Sequence, residues 1–466
     1  MKYVILIGDG MADYPIPERG NRTALQIAHT RNLDFIAING LCGLARTIPP
    51  GMTAGSDIAI LSILGYDPAK YHTGRGPLEA MAARIPLRDR DFAFRCNLIT
   101  ENEGKLEDFT GGHITTEEAK GLIDELNKEF GGNCVKQGCE CELTFYAGIG
   151  YRNILVIRYR HNSLSEEKES SFWTDGEIGS APPHDIVGRR IENYLPTEAI
   201  LRELMLSSKD VLDRHGINTR RRTCNKNKAN MVWLWSGGKK PVMPPFTRLY
   251  GVQCQGSVIS DVDLVKGIGR CVGLDAIDVP GATGYFDTDY KAMAEYALRS
   301  LEQKDFVLVH VEAPDEAGHL RDIDLKVRTI EDFDELVVGT MLEGLEAKFA
   351  DGDANADANA NANANANANG GYRILVLPDH YTPVSVGTHT KEPVPFAIYD
   401  SNSDSYARTQ IEEKKAAGSD FSFGFDEQSA RKSELGVLDA RTQELMRLFL
   451  NKLGTQINAD DKDQHG

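Results

Sequence analysis

Residues 2–10 read KYVILIGDG, a short run of apolar and β-branched side chains that ends at Asp9. A run of this kind, without polar alternation, is typical of a parallel strand that is buried on both faces. Two later runs, Phe306–Val311 (FVLVHV) and Arg373–Leu377 (RILVL), are also followed by acidic residues. Because ligands of open α/β sheets bind at the carboxyl ends of the strands, these acidic side chains are predicted to form one site.

A helical pattern over about Asp322–Phe349 separates the second and third runs. Strand–helix–strand alternation predicts an α/β fold with a mostly parallel sheet flanked by helices. The middle of the chain has strand-like and helical segments without ligand-rich strand ends, so we predict an inserted α+β domain at 81–251 and a core at 1–80 and 252–466. The strand-like segments there are Phe92–Ile99, Leu143–Ile149 and Ile154–Tyr159, and the helical ones are Thr116–Phe130 and Pro196–Ser207.

The composition excludes several classes of protein. The chain has 466 residues, 41% hydrophobic and 26% charged, and a net charge of −17, which argues against nucleic-acid binding. The apolar start is too short for a signal peptide, and no apolar run approaches the length of a membrane span. The eight cysteines are scattered, with Cys139 and Cys141 as the only close pair. Free thiols in a reducing cytoplasm are therefore expected.

Two polar segments are predicted to be disordered. Residues 351–369 consist mainly of alternating Asn and Ala, which cannot bury a core, so this tract is expected to be a surface insertion between a helix and a strand. The tail after about Asn451 is polar and is expected to be frayed.

The segments that follow the second and third strands contain candidate metal ligands. If Asp315-Glu-Ala-Gly-His319 is helical, Asp315 and His319 lie on one face and could share a cation, as the two histidines of an H-E-x-x-H motif do. A surface turn with incidental charges is the alternative. Asp379 and His380 are adjacent, and His389 follows nine residues later. Side chains of neighbouring residues point apart in an extended chain, so the pair could serve two cations, or one if the chain turns.

Ser56 is the candidate nucleophile. It follows the permissive Gly51 and Gly55 and precedes an apolar helical stretch, Ile58–Leu64, that ends at Gly65. Free amide groups at a helix N-terminus favour a phosphate, and a cation on the hydroxyl would activate it. An ordinary capping serine is the alternative. The mixture of carboxylate and imidazole ligands suits Zn²⁺ or Mn²⁺ better than Ca²⁺.

Five segments together carry a family resemblance: GDGMAD, GMTAGSDIAILSILGYDP, YHTGRGPLEA, VHVEAPDEAGH and LPDHYTPVSVGTH. The chain resembles the 2,3-bisphosphoglycerate-independent phosphoglycerate mutases of the archaeal-type branch, within the alkaline phosphatase-like superfamily. The resemblance covers most of the chain apart from the Asn/Ala tract and the far C-terminus. It implies an alkaline phosphatase-like core, two divalent cations (Mn²⁺, Zn²⁺, Co²⁺ or Mg²⁺), and exchange of 2-phosphoglycerate and 3-phosphoglycerate through a phosphoserine.

The resemblance also implies roles for individual residues. One cation would be bound by Asp315, His319 and His389, and the other by Asp9, Ser56, Asp379 and His380. The inserted domain would cover the core as a lid and hold substrate in a cleft. His113 and Lys266 would act in catalysis beside Ser56. Substrate would be bound by Arg75, Arg152, Asp175 and His184.

The chain departs from the family pattern in three places. Tyr381 stands where the family usually has Gly, so its side chain could crowd the site or close it over the substrate. The segment Ser170–His184 is longer than the pattern around the family's Asp-Pro-His element. Asn230–Lys239 resembles bacterial members, some of whose relatives are predicted homoserine kinases. A homoserine kinase-like phosphotransferase, or a phosphatase, is therefore the alternative function on the same core.

Overall fold

A computed structural model describes residues 1–136, 139–159, 178–250, 255–349, 370–402, 424–433 and 435–450. Asp175, the Asn/Ala tract and the tail after Asn451 lie outside them. The strands are β1 Lys2–Gly8, β2 Leu41–Arg46, β3 Phe92–Asn102, β4 Lys105–Asp108, β5 Gly132–Lys136, β6 Cys139–Ile149, β7 Arg152–Tyr159, β8 Met231–Lys239, β9 Gly256–Ser260, β10 Asp275–Ile277, β11 Phe306–Val311, β12 Tyr372–Leu377, β13 Val394–Asp400 and β14 Val437–Asp439.

The helices alternate with these strands along much of the chain. They are α1 Ala24–Ile27, α2 Arg31–Asn39, α3 Ser56–Ile63, α4 Pro68–Tyr71, α5 Arg75–Ala82, α6 Thr116–Phe130, α7 Ala199–Arg214, α8 Gly216–Thr223, α9 Phe246–Tyr250, α10 Asp263–Cys271, α11 Tyr290–Leu301, α12 Ala313–His319, α13 Ile323–Asp332, α14 Thr340–Phe349, α15 Glu427–Arg431 and α16 Glu444–Phe449. Short 3₁₀ helices cover Pro17–Arg19, Pro183–Ile186, Ile191–Asn193 and Ala440–Thr442. Among the described helices, none combines the length and the apolar character needed to cross a membrane.

The chain divides into two compact units, residues 1–71 with 244–466 and residues 72–243. The second unit therefore begins and ends earlier than the predicted 81–251, by about one short helix at each of its two boundaries. Helix α5 belongs to the second unit because it packs on β3 and β8. Helix α9 belongs to the first unit, where the ring of Phe246 lies 4.7 Å from that of Phe306 and the Tyr250 hydroxyl donates to the Leu64 carbonyl.

The first unit is built on an eight-stranded sheet in the order β10-β9-β11-β1-β12-β13-β2-β14. Its pairs are parallel except for the two that β13 makes. Val4 and Leu6 of the central strand pack into one core cluster, and Ile5 and Ile7, which point to the opposite face, are also fully buried. Both faces of the sheet are therefore covered, and the predicted mostly parallel sheet flanked by helices is confirmed.

The predicted helical stretch between the second and third apolar runs is present, but it changes its winding in the middle. Helices α13 and α14 are joined by a π-helix, Phe333–Gly339. At this point the Asn32 side chain donates to the Asp334 carbonyl, and the Asp334 carboxylate accepts from the Leu33 amide. These contacts with the first turn of α2 coincide with the π-helical turn.

The second unit is an α+β arrangement with its own core. Strand β3 pairs antiparallel with β4, β7 and β8. From β7 the sheet continues with β6 and then β5, and these pairs are also antiparallel. Helix α6 packs on β6, helix α7 packs on β8, and the two helices contact each other. Helix α6 begins and ends where the sequence predicts, with a capping box formed by Thr115 and Glu118. Helix α7 covers Ala199–Arg214, so it begins just after the predicted Pro196 and continues beyond the predicted end at Ser207.

Candidate functional site

Three strand ends bring the predicted ligands of the first unit together. Asp9 follows β1 directly, and Asp379 and His380 follow β12, the parallel neighbour of β1. Asp315 lies in α12, after β11 on the other side of β1. Gly10 has a φ of 61°, and a Cβ there would lie 2.6 Å from Asp315 Oδ1. The close approach of the loops therefore requires glycine at this position.

Asp315, His319 and His389 form one side of the site. His319 Nε2 lies 3.0 Å from both Asp315 Oδ2 and His389 Nε2. The Nδ1 atoms of the two rings face backbone carbonyls, of Gly387 at 3.1 Å and of Ala54 at 3.4 Å. A carbonyl on Nδ1 leaves the Nε2 lone pair for a metal, so these residues fit a cation. The hydrogen bond with Asp315 raises the pKa of His319 to about 9, so cation binding there competes with a proton.

The family resemblance assigns Asp9, Ser56, Asp379 and His380 to the other cation, and the structure also places the His380 ring against that of His389, with centroids 4.0 Å apart. Ser56 Oγ lies 3.3 Å from Asp9 Oδ2 and 3.3 Å from His380 Nε2. His380 Nε2 is 3.2 Å from Asp379 Oδ2. Burial lowers the pKa of His380 to about 4, so its ring is neutral and suited to bind a metal.

The carboxylates on this side also fit a cation. Asp9 Oδ1 and Asp379 Oδ2 are buried and accept no hydrogen bond from any residue that the structure describes. Burial, and next the charge of Asp379, raises the pKa of Asp9 well above its usual range. Buried carboxylates without donors are costly unless a positive charge compensates them.

Ser56 is the first residue of α3, with Gly55 at the N-cap. The N-cap residue makes no side-chain capping bond, and the Ser56 hydroxyl is directed to Asp9 and His380 instead. The alternative of an ordinary capping serine therefore has no support in the geometry. The N-terminus of a helix is a suitable partner for phosphoryl oxygens.

Tyr381, the departure from the family's glycine, is buried. Its backbone forms bridges with Met11, Ala12 and Thr390, and its ring centroid lies 6.0 Å from that of Tyr14. The Tyr14 hydroxyl in turn donates to Glu392. The side chain thus packs against Tyr14 in the loop that follows β12.

His310 is a residue of this site that sequence reasoning missed. It lies within β11, is fully buried, and places Nε2 3.0 Å from Asp9 Oδ2. One ligand atom each from Asp9, His310 and Asp379 lies within 4.8 Å of the others. Asp315, His380 and His389 form a second such group. The available signal was a histidine in the otherwise apolar FVLVHV run.

The predicted catalytic Lys266 lies in α10 of the first unit and is largely buried. Its Nζ forms an ion pair with Asp278, at 2.9 Å from Oδ1. Among the described contacts, none joins Lys266 to a predicted metal ligand. His113, in the second unit, is exposed and has a φ of 50° in a turn where its amide donates to Thr110 Oγ1.

Basic side chains of the second unit gather around Trp235. The Arg95 guanidinium lies over the Trp235 ring at 4.1 Å and pairs with Glu79 at 3.0 Å. Burial lowers the pKa of Arg95, Glu79 opposes this effect, and the charges of Arg75 and Arg152 lower it further. The His184 ring centroid is 5.8 Å from that of Trp235. The predicted Arg75, Arg152 and His184 are therefore in one neighbourhood, and Arg95 is an addition that the sequence did not reveal.

Comparisons with known proteins identify the family. A family model described as 2,3-bisphosphoglycerate-independent phosphoglycerate mutase matches residues 37–218. A protein of that name from Methanosarcina barkeri is 44% identical over 443 residues, which cover 94% of this chain and 97% of the relative. The chain belongs to the 2,3-bisphosphoglycerate-independent phosphoglycerate mutase family. A probable mutase of this family from Geobacter sulfurreducens is 41% identical over 96% of the chain and 99% of the relative.

Two solved structures share the fold of this chain. A protein from Pyrococcus horikoshii matches with a TM-score of 0.70 and 27% identity, covering 100% of this chain and 99% of that one. A cofactor-independent phosphoglycerate mutase from Thermoplasma acidophilum matches with a TM-score of 0.59 and 24% identity, over 96% and 100% of the two chains. The expected alkaline phosphatase-like fold of these mutases is thereby confirmed.

Proposed function

We propose that the protein interconverts 2-phosphoglycerate and 3-phosphoglycerate, a step of glycolysis and gluconeogenesis, through a phosphoserine at Ser56. The observation that carries the proposal is the placement of the Ser56 hydroxyl, 3.3 Å from both Asp9 and His380, at an uncapped helix N-terminus. Two divalent cations bound by the seven predicted ligands would lower the pKa of this hydroxyl and neutralise charge on the phosphoryl group.

The reaction consists of two transfers in opposite directions. The Ser56 hydroxyl, whose pKa the bound cations would lower, releases its proton to solvent as Oγ attacks phosphorus. The bond from phosphorus to one glycerate oxygen breaks, and that oxygen takes a proton from His113, the proposed proton carrier. The other glycerate hydroxyl then gives its proton to His113 and attacks the phosphoserine. The bond from phosphorus to Ser56 Oγ breaks, and Oγ regains a proton from solvent. Amide groups of the first turn of α3 stabilise the phosphoryl oxygens in both transfers.

Residues of the second unit are proposed to hold the substrate and to act as its lid, which excludes water from the phosphoserine. Arginine suits this role because its planar guanidinium binds carboxylate or phosphate through two hydrogen bonds. We assign substrate binding to Arg75, Arg152, Asp175 and His184, proton transfer to His113, and charge stabilisation to Lys266.

A coupled enolase assay without added 2,3-bisphosphoglycerate tests the function. Metal-stripped protein is reloaded separately with Mn²⁺, Zn²⁺, Co²⁺ or Mg²⁺, and isomerisation is expected with at least one cation. Absence of turnover with all four would contradict the proposal. ATP-dependent phosphorylation of homoserine would identify the kinase alternative, and release of phosphate as fast as isomer would identify the phosphatase.

A further inference from the structure

His310 has an environment that a purely structural histidine does not need. Its side chain is fully buried in β11, at the edge of the site that contains Asp9 and Asp379. The residue is outside the set of seven ligands that the family resemblance implies. A buried imidazole is costly unless both of its nitrogens have partners.

One nitrogen of the ring has a clear partner. His310 Nδ1 lies 3.2 Å from Ser260 Oγ, which also accepts a hydrogen bond from the Val262 amide at 2.9 Å. A hydroxyl oxygen can accept two hydrogen bonds, so Nδ1–H can donate to Ser260. This tautomer leaves the lone pair on Nε2, the nitrogen that faces the carboxylates.

The other nitrogen is close to an oxygen without bonding to it. His310 Nε2 is 3.0 Å from Asp9 Oδ2, yet it makes no hydrogen bond with any residue in the described part of the chain. A distance of 3.0 Å permits a hydrogen bond between these two atoms, so it is their relative orientation that does not suit one. Neighbouring ligands of one six-coordinate cation, each about 2.0–2.1 Å from the metal and about 90° apart, lie about 2.9 Å from one another without hydrogen-bonding. The spacing and the misalignment are those of atoms that share a cation.

We propose that His310, through Nε2, is a further ligand of the cation bound by Asp9 and Asp379. This inference rests on the proposed metal centre and adds a ligand from β11 to it. Asp9 Oδ1 and Asp379 Oδ2, which accept no described hydrogen bond, supply the charge that such a cation needs. Ser260 then acts as the partner that orients the imidazole, as carbonyls do for His319 and His389.

Cobalt titration of metal-stripped protein tests the proposal. Wild-type protein is expected to bind two Co²⁺ ions per chain, as measured by calorimetry and by visible absorption. His310→Ala and His310→Gln are expected to weaken one of the two sites at least tenfold and to change its absorption bands, while the other site is unaffected. The exposed His29 gives the matched control, since His29→Ala should leave both sites unchanged.

The outcomes separate this inference from the proposed function. Two unchanged sites in both His310 variants would overturn the ligand assignment and leave the mutase proposal intact. A wild-type protein that binds no Co²⁺ would instead overturn the metal centre itself. A measurement on wild type is independent of how the variants fold. With ¹¹³Cd and ¹⁵N-labelled histidine, four imidazoles should couple to the metal, whereas coupling of only three would contradict the role of His310.

Discussion

The Ser56 hydroxyl faces Asp9 and His380 and takes no part in capping α3. For this reason Ser56→Ala should cost little stability, weaken cation binding only modestly, and reduce mutase turnover by roughly a thousandfold or more, because the group that accepts the phosphoryl is gone. Steady-state assays and calorimetry would measure both effects. Ser62→Ala, in the same helix, serves as the control. Near-normal turnover of Ser56→Ala would rule out the phosphoserine.

Arg95 is expected to contribute to substrate affinity. Arg95→Met removes a positive charge next to Arg75 and Arg152 and should raise KM for phosphoglycerate about tenfold or more, with unchanged cation binding. Arg95→Lys keeps the charge but loses the planar stack on Trp235, so it should have an intermediate KM. Arg214→Met, at an exposed position of the same unit, should leave KM unchanged. A lower melting temperature with an unaltered KM would show that Arg95 acts only in packing.

Sequence reasoning predicted six of the seven ligands at one edge of the sheet because acidic residues and histidines after buried strands are recognisable in the chain. The seventh, Ser56, was predicted from its helix N-terminus and the family resemblance. His310 and Arg95 were not predicted, because they do not lie at strand ends. Both lie inside strands, in FVLVHV and FAFRCNLIT, where the apolar pattern predicts core and does not show what a single polar side chain faces. Their partners, Asp9 and Trp235, are distant in the sequence, so only the fold brings them together.

Among the helices, α13 connects two of the loops that carry ligands. Its Lys326 is fully buried, and Nζ lies 2.9 Å from Asp13 Oδ2, 3.2 Å from the Ala12 carbonyl and 2.8 Å from the Thr382 carbonyl. Asp13 follows Asp9 in the loop after β1, and Thr382 follows His380 in the loop after β12. One ammonium group thus holds both loops in place.

Lys326→Met is expected to lower the free energy of unfolding by about 3–5 kcal/mol, because it leaves the buried Asp13 carboxylate without its partner. The two loops should also lose their alignment, so cation affinity should fall. Urea unfolding and calorimetry would measure the two effects. Lys291→Met, at an exposed position of α11, is the control and should change stability by less than about 0.5 kcal/mol. A destabilised variant with wild-type cation affinity would contradict the link to the site.

Several strands and helices were predictable from the sequence, but the antiparallel direction of β13 and the boundaries between the two units were not. The strands β1, β11 and β12 were found because their apolar runs are short and bounded. The antiparallel β13 was not foreseen, because Val394–Asp400 was not among the predicted strands and its direction depends on its pairing with β12 and β2. The predicted domain boundaries lie one short helix away from the limits of the compact units, since the places of α5 and α9 depend on packing partners such as β3 and Phe306.

For the whole molecule, cation binding should stabilise the two units unequally. The predicted metal ligands all lie in the first unit, and a cation at a hundred times its Kd stabilises the folded state by about 2.7 kcal/mol. Chelation is therefore expected to accelerate amide hydrogen exchange in β1, β11 and β12 and to have little effect in β3 and β7. Exchange followed by mass spectrometry would test this. Equal acceleration in both units would contradict a metal centre confined to the first.

The position of β1 in the sheet has a consequence for biosynthesis. Tyr3 of this strand pairs with Phe306, so its first neighbour leaves the ribosome roughly 300 residues later, about 15–60 s at usual rates of translation. The residues of the second unit, 72–243, are continuous and are complete before then. We expect this unit to fold first on the nascent chain, while the apolar β1 depends on chaperones until β11 and β12 emerge.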